Sequence, residues 1–445
     1  MNDRQPAQNI AGKEPAPLLG IAQHPQRYEL HNELHVGACE EVDAPTQISH
    51  LVLLCGNDQC RRERELLGQL CERYGALPPA PQATHFNGML GVFRLVWERH
   101  TEYSTYTFYH HAPFELPFAE PAIRHVPADW LAQLPGEVIA ATHIAFESKQ
   151  APRRSLEELA AFFAPGTIIG AKVAAGSAVV YTDNQIHADG FGRILIQDVD
   201  LRSRQASRLV QRLLEIESYR MLAMLPVPMM RGYIPELARF DRQVAELTAN
   251  SQGLRGLEDE QRLLDELTRL AAELERISAR TSQRVNASTM YYEIVKLRVS
   301  ELREQRIQGL QMFREFMEQR LSSAMGTCAL VNGKLETLST RVERASSLLR
   351  ARVEISMEKQ SRDLLRSMDR RADLQLRLQE TVEGLSIVVI SYYLLGLIYY
   401  TLKGVKAAGV GVDVELLTAL SLPAVLLLVF LGINRLRKKV HSAGS

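Results

Sequence analysis

The side chains best suited to chemistry crowd the N-terminal half of the chain. Eleven of the twelve histidines lie at or before His187. His31 and His35 are four residues apart in the run HNELH. On a helix they would share a face and could bind one divalent metal ion. The order differs from the HExxH motif of zinc proteases, in which the glutamate is the base. Pro25 and the lack of an apolar period leave a helix there open, and hydrogen-bonding histidines are the plainer reading. A second group, Asp183, His187 and Asp189, falls on one predicted hairpin. It could bind a divalent ion or orient a water. Asp and Asn also favour turns for backbone reasons alone.

Other chemistries have little support. There is no P-loop, no Gly-x-Ser-x-Gly and no CxxC pair. The Gly190-Phe191-Gly192 run lacks the third glycine of a dinucleotide fingerprint. No complete catalytic set is visible, so an enzyme is not expected. The five cysteines (Cys39, Cys55, Cys60, Cys71 and Cys328) are odd in number and imply no disulfide framework. Cys55 and Cys60 have no second pair to complete a zinc site and read as buried or incidental thiols. The 52 basic and 52 acidic residues cancel. A nucleic-acid partner is therefore not expected.

The elements that must position these residues can be read in order. Residues 1–20 are polar and rich in Pro, Ala and Gln, the composition of a disordered tail. Residues 21–200 read as an α+β domain. Residues 48–55 form a strand, 58–74 an amphipathic helix, and 89–100 and 103–111 adjacent strands. The order then recurs, with a strand at 137–146, a short helix at 156–163 capped by Ser155, and strands at 171–182 and 190–198. This suggests a pseudo-duplicated sheet, although residue identity between the halves is poor.

Residues 201–333 read as a helical bundle. The helix at 205–225 carries Leu209, Leu213, Ile216 and Met224 near helical period and ends before Pro226 and Pro228. No proline occurs between Pro235 and Pro423. Helices are expected at 258–280 and 287–320, with breaks near Gly253, Gly256, Gly326 and Gly333. Residues 334–383 form a stalk helix of about 70 Å, at about 1.5 Å per residue. Its apolar residues recur at three- and four-residue steps from Leu335 to Ala372. A rod of this kind needs other helices or copies of itself to cover the stripe, and a homo-oligomer is expected.

Residues 384–402 (GLSIVVISYYLLGLIYYTL) and 416–434 (LLTALSLPAVLLLVFLGIN) are uncharged and mostly apolar. Each is long enough to cross a hydrocarbon core of about 30 Å as a helix. Arg362, Arg366, Arg370, Arg371 and Arg377 precede the first. Arg435, Arg437, Lys438 and Lys439 follow the second and open the basic tail, 435–445. The positive-inside rule then puts both termini in the cytoplasm, with the chain multi-pass in the cytoplasmic membrane. Within the first span, Tyr392, Gly396 and Tyr399 share a face beside Ser391. Close helix packing through Gly396 is expected there, and a polar path is the alternative.

HPQRYELHNELH (24–35), FRLVWERHTEYSTYTFY (93–109), HADGFGRILIQD (187–198), QASRLVQRLLEIESYRMLAMLP (205–226) and LQLRLQETVEGLSIVVISYYLLGLIYY (374–400) resemble an uncharacterised bacterial family, domain-of-unknown-function family 3422, whose members are described as membrane-anchored. The resemblance covers residues 24 to 435 and implies a two-span C-terminal anchor. It brings no activity and no catalytic residue. In architecture alone the chain is similar to the CorA class of magnesium channels. That class ends its first span in Gly-Met-Asn, whereas this chain has Tyr399-Tyr400-Thr401-Leu402-Lys403-Gly404. Lys403 places a positive charge where a cation would pass. The reading is thus an α+β cytoplasmic domain, a helical bundle and long stalk, and a transmembrane hairpin. Its partners would be the lipid bilayer and copies of itself. A scaffold role is favoured over a cation channel or transporter and over a metal-dependent enzyme.

Overall fold

The computed structural model describes residues 24, 26–27, 41–56, 59–164, 166–250, 256–407, 411 and 413–442. His31, His35 and the expected N-terminal tail lie outside them. The chain divides into two compact units. One comprises Met1–Glu246 with Arg269–Glu343, the other Leu247–Thr268 with Arg344–Ser445.

The first unit is built on a nine-stranded sheet in the order β2-β3-β4-β1-β5-β8-β7-β6-β9. Its strands are β1 (Thr46–Leu54), β2 (His85–Leu90), β3 (Phe93–Arg99), β4 (Tyr103–His110), β5 (Glu137–Glu147), β6 (Ile169–Val173), β7 (Ala178–Thr182), β8 (Gly192–Asp198) and β9 (Gln305–Arg306). All neighbours pair antiparallel except β5 and β8. Outward from the centre, β1-β4-β3-β2 on one side matches β5-β8-β7-β6 on the other. The recurrence expected from sequence is therefore present in strand order. It is not present in direction, because β1 runs antiparallel to β4 while β5 runs parallel to β8.

Two expected strands are interrupted by turns. The 89–100 segment is β3 preceded by only Met89 and Leu90 of β2, which begins at His85, and the chain folds back at Gly91, whose φ of 64° lies in the left-handed region. The 171–182 segment breaks at a 3-10 turn, Ala174–Gly176, with φ of 52° at Ala174 and 59° at Ala175. Nothing apolar distinguishes either turn from the strands around it, so alternation alone reads straight through.

Helix α1 (Cys60–Tyr74) packs Leu66, Leu67, Leu70 and Cys71 on one face of the β1–β4 half, against Leu95, Trp97, Tyr106 and Phe108. Short helices α2 (Ala128–Leu131) and α3 (Leu156–Leu159) follow. Ser155 caps α3 through a reciprocal capping box with Glu158. On the other face lies α4 (Ser203–Met224). Its Leu209, Val210, Leu213 and Ile216 join Ile144, Phe146, Val180, Ile194 and Ile196 of the β5–β8 half in one core.

Prolines 226 and 228 end α4 but do not end helix formation. Helix α5 (Val227–Asn250) starts at once, with Pro228 in its first turn, where a missing N–H costs nothing. Helix α6 runs unbroken over Leu257–Glu301. The expected 287–320 helix is instead divided. The chain leaves α6 after Glu301, adds β9 to the edge of β6, and starts α7 (Phe313–Ala407). The break has a local cause. The Glu304 carboxylate accepts the amides of Phe313 and Arg314, at 2.8 and 3.0 Å, and so caps α7. Arg303 and Gly309 adopt positive φ. Gly326 and Gly333 sit inside α7 without interrupting it. Val295 and Val299 of α6, Leu302 just after it, and Phe313, Met317 and Leu321 of α7 complete the core around α4.

In the second unit, the start of α6 buries Leu263 and Leu267, and Leu349 of α7 is likewise buried. The Ser356 hydroxyl donates to Glu260 at 2.9 Å. Beyond Ser356, α7 is exposed through Leu385 at every position whose burial is described. Helix α8 (Val414–Ser442) is the final, apolar element. The helices Phe313–Ala407 and Val414–Arg435 each contain a stretch long and apolar enough to cross a membrane.

Candidate functional site

One side of α4 is polar. Ser207, Gln211, Glu215 and Ser218 recur at three- and four-residue steps, with Tyr219 alongside. This stripe faces the β1–β4 half of the sheet, where strand alternation sends His50, Val96, Glu98, Tyr103, Thr105, Thr107 and Tyr109 to the same face. With His85 and His100 these groups line a half-open cavity of ≈ 130 Å³.

The polar groups of the pocket are fixed by specific bonds. His50 is 4 % exposed. Its Nδ1 lies 2.8 Å from the Thr107 hydroxyl and its Nε2 lies 2.9 Å from that of Ser218. Ser218 gives its own proton to the Leu214 carbonyl at 2.7 Å. His50 therefore donates from Nε2 and accepts at Nδ1 from Thr107, which is the neutral imidazole. Burial pushes its pKa down to about 3, with His100 adding to the effect. His100 stacks on Tyr103 at 4.3 Å between ring centres. Burial, then the nearby Arg99 guanidinium, pushes it down to about 4.

Register pairs His85 of β2 directly with Glu98 of β3. The His85 Nδ1 stands 3.7 Å from Glu98 Oε1. That is too far for a hydrogen bond, and this nitrogen is buried without a partner. Burial raises the Glu98 pKa, outweighing His85 and the Thr105 hydroxyl that favour the charged form; Glu215 adds to the rise. Glu215 itself is ion-paired with Arg298 of α6. Tyr219 stacks on Tyr291, 5.5 Å between centres, and closes this end of the site.

A second buried network sits on the opposite face of the sheet. Glu63 of α1 is fully buried, with Arg99 at 3.5 Å and the Tyr106 hydroxyl donating at 3.2 Å. Arg99 also bonds the Cys55 and Gly56 carbonyls. Burial, reinforced by Glu63, pushes the Cys55 thiol up to about 12. An inert thiol in a closed ion-pair network ties α1 to the sheet and is a structural element.

The residues singled out from sequence are placed as follows. Asp183 and His187 do meet, with Nε2 and Oδ2 2.9 Å apart. The Asp183 carboxylate also accepts the amides of Ala164 and Gln185, at 2.9 and 3.1 Å. Asp189 turns instead to the Phe191 amide and the Arg193 guanidinium. Burial alone would raise its pKa, but these two partners hold it below the usual carboxylate value. The hairpin also carries Phe191 onto His143, stacked at 3.9 Å. Among the described residues no group of three His, Cys, Asp or Glu side chains is arranged to hold a metal ion.

In the first apolar stretch, Ser391 is buried and its hydroxyl has no hydrogen-bond partner. Tyr392 is 75 % exposed and Tyr399 38 %. A Cβ added at Gly396 would meet nothing within 4 Å. The space beside Gly396 is therefore not filled by any described residue.

The pocket under α4 was not anticipated. Its one sequence signal is the alternation of Tyr103, Thr105, Thr107 and Tyr109, which reads equally well as a solvated strand face.

No curated protein matches the chain, and no solved structure matches it. The architectural likeness to the CorA class therefore gains no support from comparison. One family description, "Protein of unknown function (DUF3422)", matches residues 22–440. That match takes in the sheet, the pocket, the long helices and both apolar stretches together, and the chain belongs to the DUF3422 family.

Proposed function

We propose that the protein is a membrane-anchored scaffold, with residues 384–402 and 416–434 inserted as a hairpin and the α+β unit in the cytoplasm. The observation that carries this is the exposure of both apolar stretches. Leu385, Val388 and Leu397 of α7, and Leu420, Leu427 and Leu428 of α8, present their side chains outward. A soluble core helix would bury them, and a bilayer supplies the missing apolar contact. Basic residues flank the outer end of each stretch, which sets both termini in the cytoplasm.

Self-association is part of the same reading. The α7 face that buries Leu335, Leu338, Val342 and Leu349 continues past Ser356 as exposed Met357, Leu364, Met368 and Leu378. Helix α6 begins only at Leu257 and meets Ser356 through Glu260, so α6 does not extend to cover the rest. A parallel copy anchored in the same membrane would present the matching stripe.

The test is extraction and topology of the full chain. The protein should stay with membranes through alkaline carbonate. A cytoplasmic reporter fused after Ser445 should be active, as should an external reporter placed in the 404–412 loop. Release by carbonate, or external activity at the C-terminus, would remove the hairpin anchor.

A further inference from the structure

We propose that the pocket under α4 binds a small primary ammonium compound, held between Glu98 and His85. This inference concerns the first unit alone and is independent of the anchor.

Charge balance comes first. Among the described residues the lining holds two carboxylates, Glu98 and Glu215, and no lysine or arginine. Arg298 answers Glu215 from α6. Among the described residues Glu98 has no guanidinium or ammonium paired with it, only the Thr105 hydroxyl and the His85 ring. An anion would meet a carboxylate and no cation, so the site selects against it. Geometry comes second. Glu98 Oε1 accepts in its charged form, and the unpartnered His85 Nδ1, 3.7 Å away, is a second acceptor when the ring carries its proton on Nε2. An ammonium has three N–H donors and no acceptor, so it can satisfy both at once. A carboxylate receiving a charged donor makes a stronger bond than one receiving a neutral hydroxyl.

The remaining walls fit the rest of such a molecule. Tyr103 and Tyr219 offer aromatic surface, which attracts a cation. On the far side the Thr107 and Ser207 hydroxyls line the pocket with their protons given to His50 and the Ser203 carbonyl, so they face a ligand as acceptors only. A cavity of ≈ 130 Å³ sets the size. An apolar cavity of about 150 Å³ takes benzene, so a ligand of roughly six heavy atoms or fewer is implied.

The test compares two-carbon hydroxy compounds of different charge on the full chain in detergent, by titration calorimetry. Ethanolammonium should bind at least about tenfold more tightly than ethylene glycol, the gain expected for a charge-assisted bond. Glycolate should not bind. Glu98→Gln should abolish the preference for the cation. Glu98→Asp should keep the preference with weaker binding, and His85→Leu should weaken the cation alone. Circular dichroism of each variant separates lost binding from lost folding, and the Asp variant carries the test if Gln does not fold. Glycerophosphoethanolamine carries the same ammonium on a phosphodiester. It should bind more weakly than the free amine, since the lining has no basic side chain for the phosphate; tighter binding would mean a lipid headgroup and overturn the free-ligand form. Equal binding of glycol, preferred binding of glycolate, no binding by any of the compounds, or a cation preference that survives Glu98→Gln would each overturn the proposal.

Discussion

Helix α4 covers two halves of one sheet that differ in what they bury. Over β5–β8 it meets Ile144, Phe146, Val180, Ile194 and Ile196 and forms a continuous apolar core. Over β1–β4 it meets His50, Glu98, Thr105 and Thr107 and leaves a cavity. The strand order outward from the centre is the same in both halves. The first half has its own apolar core, but on the opposite face, under α1. Stability of the first half therefore does not depend on filling the α4 side. A face freed from core duty can keep polar groups, provided each has a partner. The His85 Nδ1 departs from that rule, beside a Glu98 carboxylate that has only the Thr105 hydroxyl, which is why the proposed binding position is placed there.

The comparison can be broken most sharply in the apolar half. Phe146→Ala removes a 1 % exposed ring from that core. It should cost about 3 to 5 kcal/mol, seen as faster amide hydrogen exchange in β5, β8 and α4 together. A loss confined to β5 would mean that α4 and the sheet do not share one core.

Acid should weaken the polar half before the apolar one. His50 ordinarily titrates at 6.5 and is held at about 3 in the fold. Between those values the unfolded chain binds the extra proton, so the stabilisation present above pH 6.5 is lost as pH falls toward 3. Glu98 acts in the opposite sense. Its pKa is raised from 4.5, so its contribution is present at low pH and lost as pH rises through the folded value. The opening free energy read from exchange in β1 and α4, corrected for the intrinsic slowing of exchange in acid, should fall from pH 6.5 to 4.5. His50→Gln should flatten that dependence by about 2.7 kcal/mol over the two units, at 1.36 kcal/mol per unit. An unchanged slope would show that His50 is not held neutral.

A smaller effect sharpens the same contrast. Ser218→Ala leaves the His50 Nε2–H without its acceptor in a buried site. This should cost about 1 to 2 kcal/mol and should be mild at the pocket's outer groups. An effect near zero would mean that water replaces the hydroxyl, and that the pocket is wetter at its inner end than the bonding implies.

Much of the architecture was legible from local pattern. The apolar stripe of α4 has helical period, and Ser155 with Glu158 spells a capping box. The run from Gly333 into the first apolar stretch contains nothing that stops a helix. The turn at Ala174–Gly176 and the break before Phe313 were not legible. Each depends on a partner elsewhere: β7 folding back on β6, β9 pairing with the β6 edge, and Glu304 reaching the amides of Phe313 and Arg314.

The sequence by itself determined the class of elements and the two long apolar stretches, because length, period and charge are properties of contiguous residues. The tertiary structure alone decided the pocket. His50 and Ser218 are 168 residues apart, and they meet because β1 pairs with β4 while α4 crosses both halves of the sheet. Thr105 and Thr107 two residues apart read from sequence as a wet strand face. They become the wall of a binding site only because a helix with a polar stripe lies over them. The pairing of Glu98 with His85, by contrast, is a matter of hairpin register set by the short turn at Gly91, and only the helix laid over it makes that pair part of a pocket.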